Sequence, residues 1–165
     1  MKLGRHTNGL TCEWDMQRQF IKWMQSDYLS NYDLEFIDEL HIPEVKRIAD
    51  FIVWKPGNGL INIEAKGNVI NTLYHQLKDH ATYCDYSFAF IPDYTMTPRW
   101  FKQKLTEYGW GLIVFNFNTR GITEVLEAHK NKDIDMFINK SVRQRMKIEI
   151  IKRRAVKDTQ QILDL

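Results

Sequence analysis

Two short segments carry ionisable side chains inside otherwise apolar runs: Arg47-Ile48-Ala49-Asp50-Phe51-Ile52-Val53-Trp54 and Leu60-Ile61-Asn62-Ile63-Glu64-Ala65-Lys66. If both are extended, the period of two puts Ile48, Asp50, Ile52 and Trp54 on one face of the first, and Leu60, Asn62, Glu64 and Lys66 on one face of the second. Pro56-Gly57-Asn58-Gly59 between them is a tight-turn signal, so the runs form a hairpin that can bring Asp50, Glu64 and Lys66 to one side. Burying a carboxylate without a partner is costly, so each must find a cation, a metal or a proton. Two carboxylates beside a lysine fit a divalent metal. Hard oxygen ligands suit Mg²⁺, which keeps several waters and takes one or two carboxylates plus phosphate oxygens of a substrate. The lysine would orient or help deprotonate an attacking water. The competing account is a structural salt bridge among the same three groups.

The Glu-x-Lys triplet alone is uninformative: nine Glu and fourteen Lys in 165 residues give about 0.8 by chance. Glu44-Val45-Lys46 has the same spacing, but it follows Pro43 in a polar connection. Glu64-Ala65-Lys66 stands apart by its setting: a preceding strand with an inward Asp, a hairpin, a glycine after the lysine and then a helix. Other chemistries lack their signatures. His6, His41, His75, His80 and His129 form no ligand pair of zinc-site spacing. There is no nucleophile elbow and no Gly-rich phosphate loop.

Around the hairpin, Thr11 to about Asp27 reads as an amphipathic helix capped by Thr11, with Met16, Phe20, Trp23 and Met24 at helical spacing. Tyr32 to Ile42 reads as a strand stopped by Pro43. Asn68 or Asn71 can cap a helix with Ile70, Leu73, Leu77, Ala81 and Cys84 on its apolar side, and Tyr86 to Ile91 reads as a buried central strand. Thr97-Pro98 opens a helix that Gly109 ends, Trp110 to Phe117 reads as a strand, and the last 30 or so residues read as helix. The result is a mixed α/β domain with no internal repeat.

Composition agrees with one water-soluble domain: 44% hydrophobic and 27% charged residues, no stretch as apolar as a membrane span, and no signal-type start. Cytoplasmic location is the expectation, with Cys12 and Cys84 as buried thiols, since they form neither a metal pair nor a disulfide framework. Charge is uneven. Between Lys130 and Lys157 ten Lys or Arg face three acids, giving +7 and leaving −5 for the rest of a chain whose net charge is +2. Such asymmetry suits a phosphate-binding helix on an acidic body, although a solvated cationic surface has the same composition.

Ala49-Asp50, with Glu64-Ala65-Lys66 beginning fourteen positions after Asp50, resembles the PD-(D/E)XK nuclease superfamily. The order helix, three strands, helix, strand from Thr11 to Ile91 matches that superfamily's core, and Ile48-Ala49 stands where the signature has its leading proline. Tyr83 to Pro92 is also similar to small repair- or phage-type members. The resemblance implies a restriction-endonuclease-like mixed β-sheet with flanking helices, an αβββαβ core, plus a C-terminal helix. Residues 1–129 would form the nuclease core and 130–165 a basic helical extension of the same domain. It implies Mg²⁺, with Mn²⁺ able to substitute, held by Asp50, Glu64 and the carbonyl of Ala65, while Lys66 serves the water in hydrolysis of DNA. Glu13, at the head of the face shared by Met16, Phe20 and Met24, is by the same resemblance a further metal or water ligand; alternatively it interacts with its helix N-terminus. Glu35 and Glu39 are alternative third acids. Gln76 falls in the helix after the lysine, where many relatives carry a glutamine near the site; Tyr83 and His80 are weaker candidates on that helix. Arg143, Arg145, Arg153 and Arg154 would hold the DNA backbone. Two alternatives stay open: a non-cleaving nucleic-acid-binding or assembly module, and a homodimeric structure-selective resolvase or restriction-type enzyme with the C-terminal helix as its interface. For a phage-encoded chain the compartment would be the host cytoplasm.

Overall fold

The computed structural model describes residues 10–25, 34–55, 57 and 59–163. In order these form α1 (Leu10–Trp23), β1 (Glu35–Ile42), a 3₁₀ turn (Pro43–Val45), β2 (Arg47–Lys55), β3 (Gly59–Ala65), α2 (Ile70–Ala81), β4 (Tyr86–Pro92), α3 (Arg99–Tyr108), β5 (Gly111–Phe115), β6 (Ile122–Leu126) and α4 (Met136–Leu163). The strands make one six-stranded mixed sheet in sequence order. β1, β2 and β3 pair antiparallel, β3, β4 and β5 pair parallel through the α2 and α3 crossovers, and β6 returns antiparallel on β5.

Helices cover both sheet faces because the strands alternate. Phe51, Val53, Ile63, Ala65 and Phe90 bury against Met16 and Phe20 of α1 and Met24 just past its end. Each of these buried side chains other than Ala65 contributes roughly 1.5–3 kcal/mol. Ile52 and Leu60 point the other way, to Tyr83, Cys84 and the α4 residues Val142 and Met146. Ala89 and Ile91 of β4 pack with Leu73 and Leu77 of α2 and Phe101 and Leu105 of α3. The first half of α4 is therefore part of the core, whereas residues 151–161 are exposed.

Several sequence expectations need correction. Thr11 lies inside α1 and is not its cap. Tyr32, Asp27, Pro56 and Asn58 lie outside the described residues. Neither Asn68 nor Asn71 caps α2: Val69 occupies the cap position and supplies no side-chain hydrogen bond. The strand read from Trp110 to Phe117 spans only Gly111–Phe115, because a turn held by the Asn116 carboxamide follows it. β6 was not expected from sequence, since all but one of its residues are exposed and no apolar alternation marks it.

The period of two also fails in β2. Ala49 and Ile52 share a cluster, and Ile48 is 56% exposed, so Ile48 is not in a buried row with Ile52. The same change of phase occurs in β1, where Ile37 and Leu40 share that cluster and Glu39 between them has φ +52°. Asp50 lies opposite this kink.

Candidate active site

The backbone ladder between β2 and β3 runs from Lys55↔Gly59 to Phe51↔Ile63. Beyond it, carboxylates take over. The Asp50 N–H donates to Glu64 Oε1 at 3.2 Å, and the Ala65 N–H donates to Asp50 Oδ2 at 2.8 Å. Each acid thus accepts a backbone hydrogen from the opposite strand, which fixes the two side chains against each other. Asn62, two residues before Glu64 on the same face, donates its amide to Glu64 Oε1 at 2.8 Å.

Glu64 has no exposed surface, and its Oε2 makes no hydrogen bond. Burial pushes its carboxyl well above the usual range, and the Asp50 charge adds to that. Burial also raises Asp50; the Ala65 N–H and the Lys66 charge act against the rise. Two acids that disfavour each other's ionisation in a dry setting form a site for a cation or a shared proton.

Lys66 is the first residue past β3 and does not continue the face of Asn62 and Glu64. Its Nζ donates to Glu13 Oε1 on α1 at 2.9 Å, and the Gly67 N–H donates to Glu13 Oε2 at 3.3 Å. Both side chains are mostly buried, 17% and 19% exposed. The structure therefore brings Glu13, Asp50, Glu64 and Lys66 into one neighbourhood, with Glu13 joined through the lysine and the glycine N–H. Glu35 and Glu39 stand apart: Glu35 pairs with Arg154 at 3.6 Å, and Glu39 is exposed beside α4. The triplet at Glu44 is tied elsewhere, to Arg145 and Ser141.

α2 reaches the acid pair through His80. Gln76 lies one turn earlier on α2, its Oε1 buried without a hydrogen bond, and no contact joins it to the acids. His80 has no exposed surface; its Nε2 lies 3.3 Å from Glu64 Oε1, and its Nδ1 is hydrogen-bonded to the Tyr83 hydroxyl. Burial lowers the imidazole to about 4, so it is neutral near pH 7. Cys84 is buried, and burial pushes its thiol up. In the sequence a lone histidine on a helix reads as structural, which makes His80 a weaker candidate than Gln76. Its position one helical turn after Gln76 was the signal available.

The four arginines of α4 all meet acids of the chain. Arg145 makes a bidentate pair with Glu44, 2.6 Å on each arm. Arg153 bonds Asp38 and Glu149, Arg154 lies near Glu35, and Arg143 lies 3.7 Å from Asp85. Apart from the Glu149 pair, which lies within α4, they dock α4 on β1, on the 3₁₀ turn after it and on Asp85 just before β4. An apolar groove of about 630 Å³ opens beside α1, lined by Trp23, Phe88 and Glu124 among others, and it contains none of the site residues.

Among the described residues no three His, Cys, Asp or Glu side chains converge closely enough to hold a metal ion by themselves, and no helix is long and apolar enough to cross a membrane. No protein-family model and no curated protein matches the chain. The chain is similar in fold to the solved structure of a protein of unknown function from Silicibacter pomeroyi, with a TM-score of 0.61 over 90% of this chain and 92% of that one at 15% identity. That likeness is one of fold alone.

Proposed function

We propose that the chain is a metal-dependent nuclease of restriction-endonuclease-like fold that hydrolyses phosphodiester bonds of DNA. One observation carries the reading: two acids face each other across the β2–β3 hairpin, and the deeper one, Glu64, has a buried oxygen with no partner. An unpaired buried oxygen of that kind is stabilised by a cation. Asp50 and Glu64 would hold Mg²⁺, or Mn²⁺ in its place, together with the Ala65 carbonyl. Two carboxylates suit a cation that completes its shell with water and substrate phosphate oxygens. Such an ion supplies charge stabilisation at the phosphate and a more acidic water. Lys66, held by Glu13, would orient that water, and Glu13 would accept from the Gly67 N–H to fix the chain just past the lysine. Gln76, with its bare Oε1, would contact water or substrate from α2.

DNA as substrate rests on the resemblance in sequence and on the charge of α4. Since Arg143, Arg145, Arg153 and Arg154 are engaged with acids of the chain, backbone contacts from this helix would fall chiefly to its exposed lysines, such as Lys140, Lys152 and Lys157. A second reading of the helix is favoured by Ile148 and Ile151, 53% and 66% exposed at helical spacing: a homodimer seam along its distal half. Light scattering separates the two uses.

The test is incubation with supercoiled plasmid and with linear single- and double-stranded DNA in Mg²⁺, Mn²⁺ or EDTA. Metal-dependent cutting that is lost in Asp50→Ala and Lys66→Ala is the expected result. DNA binding without cutting in any metal would sink the enzymatic reading and favour a non-cleaving module.

A further inference from the structure

The two oxygens of Glu64 have unlike surroundings. Oε1 accepts from the Asp50 N–H and the Asn62 amide, and His80 Nε2 stands 3.3 Å from the same atom. Oε2 is equally buried and makes no hydrogen bond. The terminal torsion of a glutamate is broad, so the carboxylate plane is set by which oxygen its neighbours hold. Three groups gathered on Oε1 leave Oε2 as the oxygen available to a ligand.

His80 is the one of these three that comes from outside the hairpin. Its ring sits between Glu64 at Nε2 and the Tyr83 hydroxyl at Nδ1, with no exposed surface. A neutral imidazole has one donor and one acceptor nitrogen. With Glu64 ionised, as cation binding requires, the carboxylate offers only lone pairs, so in that form the nitrogen facing Glu64 carries the hydrogen and Nδ1 accepts from Tyr83. The other tautomer would set two lone-pair-bearing atoms against each other in a buried site, which is costly.

We infer that His80, held by Tyr83, is a positioning residue for Glu64: it fixes Oε1 so that Oε2 serves as the ligand oxygen. The inference rests on the metal-site reading above and adds a control on it from α2. At 3.3 Å the contact is not aligned as a formed hydrogen bond, so it orients the carboxylate by approach while Asn62 anchors it. Neighbours that orient a metal ligand in this way are typically as necessary as an ordinary ligand-holding shell.

Two variants of the full chain test this by Mn²⁺ titration calorimetry, with circular dichroism and melting temperature in EDTA as fold controls. His80→Leu removes the donor and keeps bulk, while His80→Gln returns an N–H near the Nε2 position. Affinity should fall roughly 10- to 100-fold in His80→Leu, stay within about threefold of wild type in His80→Gln, and vanish in Glu64→Gln. Wild-type affinity in His80→Leu, or equal losses in the Leu and Gln variants, would overturn the steering role while leaving the metal site standing. No Mn²⁺ binding by the wild-type chain would overturn both. A further readout needs no variant: long-range ¹H–¹⁵N correlation spectra of the wild-type chain saturated with diamagnetic Mg²⁺ report the His80 tautomer. Hydrogen on Nε2 supports the inference, and hydrogen on Nδ1 overturns it.

Discussion

Glu64 and Asp85 are both buried acids beside the same hairpin, and the chain treats them in opposite ways. Asp85 Oδ2 accepts from the Leu60 N–H at 2.8 Å and from the Asn139 amide at 3.4 Å, with Arg143 at 3.7 Å; its Oδ1 faces Lys130 at 3.5 Å. Its backbone carbonyl accepts from the Asn131 N–H, and Asn139 also donates to the Tyr83 carbonyl. Both cations come from the C-terminal segment, so Asp85 is the knot that ties that segment to β3. Glu64 has three groups crowded on one oxygen, no hydrogen bond to the other, and a second acid whose charge acts against its own. A chain able to surround one buried acid with partners has left another incomplete. Around Asp85 the unpaired atoms, Asn139 Oδ1 and Arg143 Nε, belong to its partners, whereas at Glu64 the unpaired atom is an oxygen of the acid itself. A buried acid left incomplete is a place where stability can be given up for function.

The contrast can be broken most forcefully by exchanging the acids for their amides. Glu64→Gln should lower metal-dependent hydrolysis by about 1,000-fold or more, the loss expected when a cation ligand worth several kcal/mol is removed, while the protein melts no lower than wild type near neutral pH. Asp85→Asn should do the reverse: about 3 kcal/mol of stability lost in denaturant melts, with activity per folded molecule retained. If Glu64→Gln unfolds the chain and Asp85→Asn does not, the two acids have been assigned the wrong way round.

Gly59 probes the structural knot from the other side. It has φ +101°, and an added Cβ would run into the Asp85 carboxylate. Gly59→Ala should destabilise by about 3 kcal/mol through backbone strain and the displaced acid together, measured as a shift in urea midpoint.

The acid pair sharpens the comparison through pH. A carboxyl raised in the folded state contributes stability that is present below its ordinary value and is lost as pH climbs through the folded value. For Glu64, whose ordinary value is 4.5, Glu64→Gln should therefore gain stability relative to wild type as pH rises from there. His80 has the opposite sign. Lowered from 6.5 to about 4, it contributes stability that is lost as pH falls through that interval, so the wild-type curve alone mixes the two. The difference between wild type and Glu64→Gln isolates the acid pair. Mn²⁺ should raise the wild-type melting temperature and leave that of Glu64→Gln unchanged, because only a native-state site shifts the equilibrium.

The smallest effect belongs to the rim of α4. Arg145 holds Glu44 at about 2, so that pair stabilises the fold above the ordinary carboxylate range and loses this as pH falls toward 2. Because the pair is partly solvated, Arg145→Ala should cost about 1 kcal/mol or less in thermal melts near neutral pH.

The residues of the acid pair were legible in the sequence because their geometry is local. A hairpin with a short turn and a period of two relates Asp50 to Glu64 across fourteen residues, with no need of the rest of the chain. Glu13 was legible through helical spacing, but its partner was not: that it meets Lys66 depends on α1 lying across the end of β3. The kink at Glu39 and Asp50 was hidden, since nothing in either residue type announces a positive φ in a strand. β6 was hidden because an exposed edge strand carries no apolar alternation.

Sequence alone thus determined which side chains the hairpin would confront and the order of elements that frames it, because turn chemistry and hydrophobic period act over a few residues. Only the tertiary structure decided what surrounds each buried charge. His80 against Glu64, and Lys130, Asn139 and Arg143 around Asp85, are encounters between segments far apart in the chain. Compensation of a buried charge is a property of distance in space, and no spacing in the sequence encodes it.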